Sequence, residues 1–195
     1  MPTAPLLALL DDYLSRFPEE APMVARVQTL LRAHPSCFER SCVPGHITGG
    51  AWISSPDAQH CVLLHHGKLD RWLQPGGHSD GDARTERVAQ REAEEETGLK
   101  SLRRFDPDGA LAIFDVDVHE IPAHGDEPAH EHHDIRFLFI ADPDEPPVCS
   151  DESHALRWLP VAELTRFTNE ESVLRLARKC EAVAASSRLS PGRPS

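Results

Sequence analysis

Leu6, Leu7, Leu9, Leu10 and Leu14 fall on one helical stripe that Pro18 and Pro22 interrupt, and Met23, Val27, Leu30 and Leu31 resume it. The run ends at His34-Pro35, so the spacing predicts two short helices across 5–33. From His46 the apolar period shortens. Ile47-Thr48-Gly49-Gly50-Ala51-Trp52-Ile53 and Cys61-Val62-Leu63-Leu64-His65 are strand-like, and the turn-rich Ser54-Ser55-Pro56-Asp57 joins them. Further strands are predicted over 99–105, 110–118 and 135–141, with a shorter one over 155–159. Phe137 and Phe139 alternate with Arg136 and Leu138, so one face of that strand is expected to be buried. Helices are predicted over 82–97 and from 169 to about 185, where Val173, Leu174, Leu176, Ala177 and Cys180 form an apolar face. The segments 123–133 and 143–147 read as loops, and 186–195 as a disordered tail.

Composition narrows the classes. The 195 residues suit one domain with an appendage, or at most two small ones. Twenty Lys plus Arg against 32 Asp plus Glu give a net charge of −12, a poor match to nucleic acid and a plausible host for divalent cations. No apolar run approaches the roughly 20 residues that span a bilayer, and no basic, apolar, small-residue leader opens the chain. Five irregularly spaced cysteines without a CxxC pair argue against a thiolate zinc site or a redox dithiol. Reduced cysteines and a cytoplasmic setting are therefore expected.

The chemistry concentrates at Gly76-Gly77-His78-Ser79-Asp80-Gly81-Asp82 and Arg91-Glu92-Ala93-Glu94-Glu95-Glu96-Thr97-Gly98-Leu99. Asp82 is a suitable N-cap and Gly98 a suitable C-cap for a helix between them. Glu92, Glu95 and Glu96 stand at i, i+3 and i+4, hence on one face within about 5–6 Å of each other. A solvated acidic face is the common explanation of such a run. The Arg before it, the Gly after it and the glycine-rich loop upstream favour a second one: rigidly held carboxylates are what Mg2+ requires.

These residues resemble the Nudix box: Gly, five residues, Glu, seven residues, Arg-Glu, an apolar residue, any residue, Glu-Glu, any residue, Gly and an apolar residue. Gly77, Arg91, Glu92, Ala93, Glu95, Glu96, Gly98 and Leu99 fit in register, whereas the first Glu of the pattern is Ala83 here, with Asp82 beside it. The resemblance extends over roughly 44–165, through Leu63-Leu64-His65-His66-Gly67-Lys68, Trp72-Leu73-Gln74-Pro75-Gly76-Gly77-His78, and Glu152 to Trp158-Leu159-Pro160. It implies an α/β fold, a Nudix-type α/β/α sandwich with a mixed sheet over 41–185, preceded by a helical extension over 1–40. It also implies metal-dependent hydrolysis of a nucleoside diphosphate derivative, with Mg2+ or Mn2+ as cofactor. Glu95 and Glu96 would be the main metal ligands, Glu92 a further ligand or an orienting group for water, and Gly76 a carbonyl donor. Arg91 would pair with a neighbouring carboxylate and steer it. Lys68, Arg71, Arg84 and Arg136 are candidates to meet the anionic substrate, Glu152 is a further candidate at the substrate, and Glu131 or Glu152 could serve as the general base that some family members carry on a loop beyond the box. A fold-sharing ligand-binding or regulatory module is the alternative, with Ala83 as its support. An isoprenoid diphosphate isomerase would need Cys and Glu contexts that the sequence lacks.

His130-Glu131-His132-His133-Asp134 invites a transition-metal reading, with His130, His132 and Asp134 in one row if the segment is extended. The loop context and the total of 12 His speak against it. Trp52, Trp72 and Trp158 could stack a base or fill the core. The N-terminal helices could cap the sheet, cover the cleft or form a homodimer surface.

Overall fold

The structure is a computed structural model that describes residues 2–67, 70–125, 128–149, 153–186 and 189. Its elements are α1 (Ala4–Arg16), α2 (Ala21–Ala33), β1 (Gly45–Ser54), β2 (His60–His66), β3 (Arg71–Leu73), β4 (Gly76–His78), α3 (Thr85–Thr97), β5 (Arg103–Arg104), β6 (Asp115–Ile121), β7 (His130–Ile140), β8 (Ser153–Pro160) and α4 (Glu171–Ser186). The sheet has eight strands in the order β3-β2-β1-β7-β5, with β4 on β1, β6 on β7 and β8 on β2. The fold class is α/β, as expected. Among the described residues, no helix is long and apolar enough to cross a membrane.

The chain forms two compact units. The first comprises 1–50, 76–89 and 106–137. Here α1 and α2 bury Leu6, Leu10 and Tyr13, and Val24, Val27, Leu30 and Leu31. Thr48, Gly49 and Gly50 of β1 pair with His78, Gly77 and Gly76 of β4. β6 runs antiparallel to β7 from Asp115 opposite Arg136 to Ile121 opposite His130. The first turns of α3 lie directly on β1. A Cβ on Gly49 would stand 2.9 Å from the Ala89 nitrogen, the Thr85 carbonyl and Val88 Cγ1, so only glycine permits that approach.

The second unit comprises 51–75, 90–105 and 138–195. The end of β1 pairs with β2 at Ile53 opposite Val62, and β2 also carries β3 and β8. Trp52, Leu63 and Phe139 are buried here, as are Val173, Leu176, Ala177 and Cys180 of α4. The last turn of α3 closes at Gly98, whose φ of +65° suits a residue without Cβ, and its N–H donates to the Glu94 carbonyl at 3.0 Å.

Several expectations need correction. Residues 130–133 belong to β7, because each pairs with a residue of β6 from Ile121 back to Val118. Their histidines and nearby prolines suggested a loop, but cross-strand pairing decides. Both faces of β7 are buried from His133 onward, not one. The strand expected over 110–118 starts only at Asp115, and that over 99–105 shrinks to Arg103–Arg104. Gly76–His78 pairs with β1 instead of looping. α3 starts at Thr85, so Asp82 does not cap it; its carboxylate instead accepts the Arg84 backbone N–H at 2.9 Å in an Asx turn. The tail over 186–195 lies outside the described residues apart from Ser186 and Leu189.

Candidate active site

Helix α3 has a meagre apolar stripe, Val88, Ala89, Ala93 and Thr97, all buried. Its remaining surface is charged. Glu92 is held from the side: Nη2 of Arg91 donates to its Oε1 at 2.6 Å, with the Glu92 side chain only 17% exposed. Glu95 is exposed and Glu96 half-buried. Gln90 donates to Glu94 at 2.8 Å, which draws that carboxylate to the side occupied by Gln90. No basic residue stands in the last turn of α3. Glu94, Glu95 and Glu96 therefore stand at the negative end of the helix dipole, and Glu92 and Glu96 lie one turn apart on one face, an unfavourable arrangement that a bound cation would relieve. The donor set is all oxygen, carried on a rigid helix, and fits a hard divalent ion such as Mg2+ or Mn2+.

The remaining candidates separate. Lys68 and Glu152 lie outside the described residues. Gly76 lies in β4 opposite Gly50, close against the β1 backbone. Ala83 precedes α3, and the neighbouring Asp82 carboxylate is engaged by Arg84, whose Nε lies 3.4 Å from it. These hydrogen bonds and the adjacent guanidinium hold the Asp82 carboxyl below the usual range, although partial burial opposes them. Arg84 is thus paired within its own turn. Glu131 is bound by Arg26 at 2.5 Å and by His133 at 3.1 Å; burial raises its carboxyl, and those two partners lower it further than burial raises it. A carboxylate stabilised in this way is a weak general base.

Arg71 is exposed and pairs with Glu170 at 3.0 Å at the edge of a cleft of about 510 Å³. Trp72 and Phe167 also line it, edge to face at 5.7 Å, beside Arg166. Trp52 is fully buried in the core, and Trp158 donates its indole N–H to the Glu145 carbonyl at 3.1 Å. Trp72, unlike the fully buried Trp52, lines a cleft.

Arg136 is corrected most sharply. It is 2% exposed, and Nε donates to Asp134 at 2.7 Å, Nη1 to Asp115 at 3.1 Å and Nη2 to Asp117 at 3.3 Å. Burial works against its charge, but the three carboxylates outweigh that and hold it firmly protonated. A guanidinium enclosed in this way has no face left for a substrate phosphate. Asp134 also accepts the Thr48 hydroxyl at 3.0 Å.

On the same face of β7, His130 and His132 meet two residues that the sequence reading did not group with them, His46 of β1 and His78 of β4. The His46 ring centroid lies 4.9 Å from His130, 4.7 Å from His132 and 5.1 Å from His78. His119 of β6 stands 5.6 Å from His132. Asp134, expected in the histidine row, turns instead to Arg136 and Thr48. Period-two spacing marked His130 and His132, but strand order, which brings His46 alongside, is not written in local sequence.

A family model described as the NUDIX domain matches residues 46–179. No curated protein sequence matches the chain. Among solved structures, a Caenorhabditis elegans Ap4A hydrolase in a binary complex is similar with a TM-score of 0.56 and 18% identity, over 72% of this chain and 98% of that one. A NUDIX-family hydrolase from Clostridium perfringens gives 0.55 and 21%, over 71% and 97%. The Escherichia coli dihydroneopterin triphosphate pyrophosphohydrolase gives 0.54 and 16%, over 72% and 96%.

Proposed function

The chain belongs to the Nudix family, and we propose that it hydrolyses phosphoanhydride bonds, cleaving the diphosphate linkage of a nucleoside diphosphate derivative with Mg2+ or Mn2+ held by Glu92, Glu95 and Glu96. The observation that carries this reading is the carboxylate face of α3, with Arg91 fixing Glu92. The names of two similar structures, an Ap4A hydrolase and a dihydroneopterin triphosphate pyrophosphohydrolase, support the bond type.

The bound ion would supply charge neutralisation at the phosphate oxygens and acidify an attacking water. The chain's own residues do the rest. Arg91 is a positioning residue: by occupying one oxygen of Glu92 it sets where the other points. Glu95 and Glu96, two residues and one residue before Thr97, stand on a turn fixed by the Thr97 hydroxyl donating to the Ala93 carbonyl. In the cleft beside β3, Trp72 and Phe167 offer aromatic faces for a base, and Arg71 would exchange Glu170 for a substrate phosphate.

The test is release of phosphate or nucleotide from a panel of NDP-sugars, dinucleoside polyphosphates, (d)NTPs and capped RNA with Mg2+ or Mn2+. Turnover of at least one diphosphate-linked substrate, lost in Glu96→Gln with an unchanged far-UV spectrum, is expected. Ala83 favours a second reading, a ligand-binding module of the same fold, because Asp82 is engaged by Arg84 and does not replace the absent carboxylate. Tight binding of a panel member without its hydrolysis would favour that module.

A further inference from the structure

We propose that His46, His130 and His132 form a second metal centre, a tris-imidazole site for a transition-metal ion such as Zn2+, built on β1 and β7 and using none of the α3 carboxylates. Among the described residues, these three histidines place one ring nitrogen each within 4.8 Å of one another. Two imidazole nitrogens on a tetrahedral zinc at about 2.0–2.1 Å stand roughly 3.3–3.4 Å apart, so small rotations about the side-chain bonds close the set. His78 packs against the group, its ring centroid 5.1 Å from both His46 and His132.

The rings are oriented for this. His130 Nδ1 donates to the Pro128 carbonyl at 2.9 Å, which leaves the lone pair on Nε2. A backbone carbonyl or a carboxylate on the far nitrogen is the usual support of a metal-bound imidazole. His119 repeats the pattern at the rim: half-exposed, its Nδ1 lies 3.1 Å from Asp117 Oδ2 while its ring faces His132. His46 is 1% and His130 7% exposed, so the group is shielded from water. His132 Nε2 is shielded and makes no hydrogen bond, and leaving a buried polar atom unmatched costs about 1–3 kcal/mol. Imidazole nitrogen selects Zn2+, Co2+, Ni2+ or Cu2+ over Mg2+, so this centre and the oxygen-lined face of α3 differ in the ion they take. The ligands come from strands, not from loops, and that rigidity favours one geometry.

The experiment uses the full chain stripped with a chelator and titrated with Zn2+, and with Co2+ as a coloured probe, in millimolar Mg2+. One equivalent taken up per chain, with the intense visible bands of four- or five-coordinate Co2+, is expected. Uptake should fall by about 100-fold or more in His132→Gln, which removes a direct ligand, and should persist in Glu96→Gln. Absent uptake in the wild type, uptake unchanged in His132→Gln, or uptake lost in Glu96→Gln would each overturn the site. Should His132→Gln fail to fold, zinc-edge absorption spectroscopy of the wild type decides: imidazole scattering from three or more rings supports the centre, and an oxygen shell alone rejects it.

Discussion

Nη2 of Arg91 lies 2.6 Å from Oε1 of Glu92, its neighbour in the chain. Consecutive helical side chains diverge by about 100°, so this pair forms only because the long arginine folds back across the helix surface. Arg91→Gln is expected to weaken Mn2+ binding and kcat by about 10–100-fold, the range for removing a group that orients a metal ligand. KM should change little, and Arg91→Lys should recover part of kcat. Calorimetry with Mn2+ and steady-state kinetics measure this, and unchanged Mn2+ affinity in Arg91→Gln would show that the pair is only a surface contact.

Arg136 with Asp115, Asp117 and Asp134 is a buried ion cluster. Arg136→Met leaves three carboxylates without their cation and is expected to destabilise the protein by about 3–5 kcal/mol. Urea unfolding should show a lower midpoint with an unchanged slope. A loss below about 1 kcal/mol, the scale of an exposed pair, would contradict this account.

At the turn between β1 and β2, the Ser55 hydroxyl donates to Asp57 at 2.5 Å and the Gln59 N–H at 3.0 Å, holding the Asp57 carboxyl below its ordinary value. A carboxylate whose folded pKa is depressed stabilises the fold fully above its unfolded value, near ~4, and loses that contribution as the pH falls toward the folded value. Wild type should therefore exceed Asp57→Asn in stability at pH 7, and the margin should shrink progressively below about pH 4. Chemical denaturation at several pH values reads it; a constant margin would remove Asp57 from the acid response.

Cysteine labelling distinguishes the exposed thiol from the buried ones. Burial, and next the neighbouring Cys42, push the Cys37 thiol up to about 11, and burial raises Cys61 and Cys180 as well. Since the thiolate is the reactive form, a disulfide reagent at pH 8 should label the exposed Cys149 in the native protein well before these. Cys149→Ser should remove the fast phase, and a fast phase that survives it would place a reactive thiol elsewhere.

The box on α3 was legible because its chemistry is local: helical spacing alone puts Glu92, Glu95 and Glu96 on one face, and Gly98 marks where the helix stops. The strands were legible in position but not in extent. Apolar spacing gave no way to see that β7 starts at His130, since its first residues are polar and earn their strand geometry from β6. The role of Arg136 was hidden for the same reason. Its three partners are two residues upstream and 19 and 21 residues away, and only the register of β6 on β7 brings them together. Gly49 was visible as a glycine, yet nothing local says that a helix more than 30 residues later rests on it.

The cage around Arg136 has a consequence beyond stability. Three aspartates against one arginine carry a formal sum of −2 inside the protein, along the same strand that presents His130 and His132. A neutral ligand would leave that excess standing and an anion would deepen it, whereas one divalent cation among the neighbouring imidazoles would bring the local charge to zero. The strand interior is thus already charged as a counter-ion for a divalent metal among those imidazoles.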